Sequence, residues 1–132
     1  MSSSRSEFEQ NQPQWVTSCP NNDLCFDHPK NLVPANVQII DSNAGQYHSD
    51  NLTLTYDLGW YASQFNEMAN AIIEPVTIDC HSANILIQKN RMALRIPKVS
   101  GKIRFSMLLE FKESLQLEQG KRIFNSIKFT EK

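Results

Sequence analysis

Between residues 103 and 111, Ile103, Phe105, Met107, Leu109 and Phe111 alternate with Arg104, Ser106 and Glu110. A period of two puts every second side chain on one side of a pleated ribbon, so this segment is a strand whose apolar face needs a cover. Leu108 is the single break in the pattern. Weaker copies run through Leu52, Leu54 and Tyr56, through Val76, Ile78 and Cys80, and through Met92, Leu94 and Ile96. Ile85-Leu86-Ile87 is a short continuous apolar run, which marks a strand buried on both faces. Further short strands are expected at 24–26 and 37–40.

The links from 76 to 111 are too short for crossover helices. Asp79-Cys80-His81-Ser82, Lys89-Asn90 and Ser100-Gly101 are all tight turns, so the segment is expected to be a four-stranded antiparallel meander. Pro97 is expected to close a strand end, because it fits poorly inside a central ladder. Two segments carry helical spacing. In 63–73, Phe65, Met68, Ala69 and Ile72 fall at i, i+3, i+4 and i+7, and Pro75 ends the run. Near the C-terminus Leu117, Gly120, Phe124 and Ile127 line one face, with Ser114 as the expected N-cap. Gly120 there costs about 1 kcal/mol relative to Ala. A short strand over 126–130 follows. The pattern predicts an α+β fold, one antiparallel β-sheet with a C-terminal meander flanked by two α-helices.

The chain has 132 residues, 40% of them apolar and 20% charged, which suits one globular domain. Its aliphatic runs stop at triplets, whereas a spanning helix needs about 20 apolar residues, so no transmembrane segment is expected. A net charge of −1 excludes a generic nucleic-acid binder, which is usually strongly basic. Residues 1–14 offer one large apolar side chain, Phe8, among Ser, Glu, Gln and Asn. They read as a tether, with the domain over 15–132. A Ser-rich polar leader also follows the lipidated cysteine of a bacterial lipoprotein. On that reading a lipid anchor lies upstream of Ser2 and Met1 stands where the cysteine was; a plain cytoplasmic N-terminus fits as well.

Charge is divided along the chain. Residues 1–88 carry a net −8 and residues 89–132 a net +7. Either the C-terminal third is a basic face for an acidic partner, or the two halves pair within one fold. The bases form no block longer than the pair Lys121-Arg122, which favours the second.

Cys19 and Cys25 flank Pro20-Asn21-Asn22-Asp23, a turn-forming stretch that lets the thiols meet. In an oxidising compartment a disulfide is expected there; in a reducing one, two thiols. Cys80 is then left over, as a buried small hydrophobe or a free thiol. A zinc set of Cys19, Cys25 and His28, completed by Cys80 or His81, lacks a standard spacing, and no metal or other cofactor is expected. Asp79 and His81 sit two apart, as an acid–base pair on one strand face would. No nucleophile-elbow, phosphate-loop or metalloprotease motif accompanies them. The one local recognition feature is Tyr56-Asp57-Leu58-Gly59-Trp60-Tyr61, with three aromatics in six residues. Tyr56, Asp57, Trp60 and Tyr61 are the candidate binding residues, since exposed Tyr and Trp make good contact anchors. The competing reading puts Tyr56 and Trp60 in the core.

The order of elements resembles the PsbP-like fold, which is shared by photosystem II extrinsic proteins and small uncharacterised bacterial envelope proteins. The resemblance runs through Phe26-Asp27-His28-Pro29, Leu32-Val33-Pro34, Asp41-Ser42 and Gly45, the aromatic segment, the meander, and Phe124-Asn125-Ser126-Ile127-Lys128-Phe129. It implies a single sheet flanked by helices, used for binding or assembly rather than catalysis. At the 79–80 turn such domains often carry Gly second, and Cys80 departs from that. The resulting expectation is a non-enzymatic binding or accessory module of the bacterial cell envelope. It would recruit an envelope protein or a small ligand through a sheet face or the aromatic loop, in the periplasm or outer envelope. The alternatives are a small hydrolase or metal-dependent enzyme around Asp79 and His81, and a cytoplasmic interaction domain using the basic third.

Overall fold

The computed structural model describes residues 14–21, 23–35, 43–59, 62–65, 68 and 70–129. The chain first forms β1 (Trp15–Asn21), β2 (Leu24–Pro29), β3 (Val33–Pro34), β4 (Asn43–His48) and β5 (Leu52–Gly59). It continues through β6 (Ile72–Ile78), β7 (His81–Ile87), β8 (Arg91–Ser100) and β9 (Ile103–Phe111). Helix α1 (Leu117–Asn125) and β10 (Lys128–Phe129) complete it. The strands make two antiparallel sheets, one of three strands in the order β1-β2-β10 and one of seven in the order β3-β4-β5-β9-β8-β7-β6.

The expected meander is present as β6 to β9, each strand beside the next. The rest of the expected α+β fold is not. There are two sheets instead of one, and α1 is the one helix among the described residues.

The described residues of 63–73 are not helical. Ile72 and Ile73 already belong to β6, and Phe65 and Asn70 have φ of 59° and 62°, on the wrong side of zero for a right-handed helix. The apolar spacing nonetheless reports burial. Phe65 and Met68 are buried against Leu86 and Ala93, as anchors of a strap that crosses the outer face of the large sheet. Two contacts three residues apart serve a strap as well as a helix. Arg95 ties the strap down, its Nη1 donating to Gln64 O at 3.0 Å.

Pro75 lies inside β6, the edge strand, opposite Asn84. Counting from the Ile78–His81 pair beside the turn, residue 75 occupies a non-hydrogen-bonded position. Its missing N–H therefore faces the open edge and costs the ladder nothing. Pro97, expected at a strand end, lies within β8, where the β8–β9 register slips between Ile96 and Ser100. The strand expected at 37–40 lies outside the described residues, as do residues 1–13 of the expected tether.

The three-stranded sheet was not foreseen because Trp15–Asn21 shows no alternation. Val16 is 36% exposed, and Trp15 is only half-buried. The main core lies between the inner face of the large sheet and a layer made by β2 and α1. Leu54, Tyr56, Leu94, Phe105, Met107 and Leu109 meet Leu24, Phe26, Ile123 and Phe124 there. Helix α1 begins at Leu117 with Gln116 as N-cap, not at Ser114, and Gln116 makes no side-chain capping bond. Gly120 is buried on Met92 and Leu109, so close that a Cβ would collide with the Met92 side chain.

Candidate functional site

Of the four residues expected to bind, the described pair, Tyr56 and Asp57, points to opposite faces of β5. Tyr56 is 5% exposed and belongs to the core, where its ring packs with Phe26, Tyr47 and, across the Gly45 backbone, β4. Burial, and secondarily the neighbouring Tyr47, push the Tyr56 hydroxyl up to a pKa of about 12. Asp57 points to the opposite, outer face, half-buried across from Ser106. Its Oδ1 is enclosed and has no hydrogen-bond partner among the described residues. Trp60 and Tyr61 lie outside the described residues.

Asp79 and His81 flank the β6–β7 turn and are both engaged in holding the chain together. The Asp79 carboxylate accepts the backbone N–H of Phe129 at 2.8 Å, which secures β10. His81 Nδ1 lies 3.2 Å from Ile78 O and Nε2 lies 3.1 Å from Val99 O, so both nitrogens face backbone carbonyls. The His81 ring meets Phe129 edge-on at 5.4 Å. Cys80 between them is an exposed free thiol in the turn, not a buried strand residue.

Cys19 and Cys25 form a disulfide across the β1–β2 hairpin, with their Cα atoms 4.1 Å apart. Their sulfurs are spent on each other and cannot also serve as zinc thiolates. His28 is 2% exposed among aromatic rings. Its Nδ1 donates to Pro29 O at 2.8 Å, because a carbonyl can only accept, and its Nε2 accepts from Ser18 Oγ at 2.6 Å. Several bases of the C-terminal third find partners within the chain. Arg122 lies over the Trp15 ring at 3.9 Å, and Lys121 Nζ is 3.3 Å from Glu74 Oε1.

A concavity with several polar residues around it lies elsewhere among the described residues. Three connections meet at one end of the large sheet: β2 to β3, the β4–β5 turn, and β9 to α1. They enclose a cleft of about 190 Å³. Its floor is core, with Leu32, Leu52 and Phe111 nearly inaccessible beneath it. Its walls are lined by Asn31, Asn51, Gln116 and Gln119, together with Ser49, Ser114 and Glu113. Backbone bonds fix the loops. Leu32 N donates to Pro29 O at 3.0 Å, Ser49 N to Leu52 O at 2.8 Å, and Lys112 N to Asn51 O at 2.8 Å.

Sequence reasoning missed this cleft. Its residues come from three stretches far apart in the chain, and none of those stretches carries a motif. The only local signal was the run of Ser, Gln and Glu between Glu113 and Gln119, which reads as a helix start. Neither a family model, a curated protein nor a solved structure matches this chain.

Proposed function

We propose that this chain is a non-enzymatic binding module of the bacterial cell envelope, exported and held there as an accessory to a partner or ligand. The observation that carries the reading is the commitment of Asp79 and His81 to backbone groups of their own fold. A catalytic pair needs an acid or base free to reach a substrate proton, and these two close the β6–β7 turn onto β10 instead. The Cys19–Cys25 disulfide supports an oxidising compartment. No described helix is long and apolar enough to cross a membrane. The two outer strands of the large sheet each contain a proline, Pro34 in β3 and Pro75 in β6, which discourages strand addition. Recognition therefore falls to loops.

Intact mass and N-terminal analysis of the protein from its natural host tests the reading. The expected result is a lipid-modified or leader-trimmed first residue and a mass two hydrogens below that of the reduced chain. An unmodified, fully reduced chain would sink the envelope assignment.

A further inference from the structure

The carboxamides around the cleft are unspent. Among the described residues, the side chains of Asn31, Asn51, Gln116 and Gln119 hydrogen-bond to no neighbour. Asn51 holds its loop through its backbone alone, its N–H donating to Ser49 Oγ at 3.4 Å and its carbonyl accepting from Lys112. Gln116 occupies the N-cap position yet leaves its side chain out of the cap. Four residues whose side chains each carry both donors and acceptors thus line one concavity above an apolar floor.

The charges of the lining narrow the ligand. Among the described residues no Lys, Arg or His lines the cleft, so none of them neutralises a phosphate or carboxylate there. Among the described lining residues Glu113 is the one ionisable group, exposed and next to Lys112, too little for a hard-cation cage of six or more oxygens. A hydroxyl, by contrast, donates and accepts at once, and a carboxamide answers both with its two ends. At about 30 Å³ per liquid water, the cleft holds the equivalent of roughly six waters, which one hydroxylated ring can displace.

We infer that this cleft binds a small, uncharged, hydroxyl-rich molecule of about one sugar ring, oriented by Asn31, Asn51, Gln116 and Gln119 over Leu52 and Phe111. The inference deepens the binding-module reading and rests on it.

The test is an NMR titration of the oxidised full chain with glucose, glucuronate and glucosamine, which share a ring and differ in charge. Glucose is expected to shift the side-chain amide signals of Asn31, Asn51, Gln116 and Gln119 saturably, with a Kd of about 1 mM. It should bind at least as tightly as either charged analogue. Asn51→Ala and Gln119→Ala change side chains that make no internal bond, so both variants should fold. Each should weaken glucose by fivefold or more. No saturable shift at these amides, tighter binding of a charged analogue, or unchanged binding by both variants overturns the inference. Any of these failures leaves the envelope reading to its own mass measurement. Conversion of glucose to product during the titration would overturn the non-enzymatic reading instead.

Discussion

At Asp79 and Cys80 the backbone φ angles are 49° and 69°, so the two-residue link between Ile78 and His81 is a type I′ turn. That turn prefers Gly second, because a Cβ at positive φ crowds the neighbouring backbone. Cys80→Gly is expected to stabilise the protein by about 1 kcal/mol, read as a higher urea midpoint. Cys80→Ala, which loses the thiol but keeps the Cβ, should change little. Tyr56 gives a pH signature. Its hydroxyl ionises near 12 in the folded chain and near 10 when unfolded, so the folded state holds the proton more tightly. The associated stability is complete below pH 10 and disappears as pH rises toward 12. It amounts to about 3 kcal/mol. Denaturation of the wild type and Tyr56→Phe across that window checks this; the variant should lack one proton's share of the alkaline slope.

Among the elements, α1 shows how packing overrides propensity. Helix propensity alone makes Gly120→Ala a gain of about 1 kcal/mol. In the fold the added methyl meets the Sδ and Cε of Met92, which is fully buried and must shift within the core to admit it. Overpacking of this kind costs about 1–3 kcal/mol. The variant should therefore be less stable than wild type by about 1 kcal/mol in thermal or urea unfolding. A gain would show that Met92 moves aside freely.

What the sequence made legible follows the same logic. The alternation in β5 and β9 names core positions correctly, since Leu54, Tyr56, Phe105, Met107 and Leu109 are all buried. Its one break, Leu108, is also informative. Leu86, Ala93 and Leu108 lie side by side across β7, β8 and β9, and they mark where the strap covers the outer face. A window of periodicity cannot tell a strap from a helix, because both ask for apolar anchors a few residues apart. Nor can it find β1, which gains its place from a hairpin, a cross-link and the Arg122–Trp15 contact more than from buried side chains. The cleft was hidden for a third reason: its walls are assembled by topology from loops that share no local pattern.

For the molecule as a whole, the two sheets differ in how they are held. The large one has seven strands and a core on its inner face. The small one consists of a hairpin and the two-residue β10. Closing the short loop between Cys19 and Cys25 is worth about 2 kcal/mol by chain entropy. Reduction should therefore lower global stability by about that much. In hydrogen exchange it should deprotect β1 well before β8 or β9. Equal loss of protection in both sheets would show that they unfold as one unit.

The same cross-link has a mechanical meaning. A pull applied upstream of Gln14 loads β1 from its open end at Trp15, where the pairs with β2 break one after another like a zip. Tearing stops at Cys19, because the next bond to yield is covalent. The load then passes into β2 and, through β10, toward α1. The oxidised hairpin thus acts as a rip-stop against any load that enters the fold through β1.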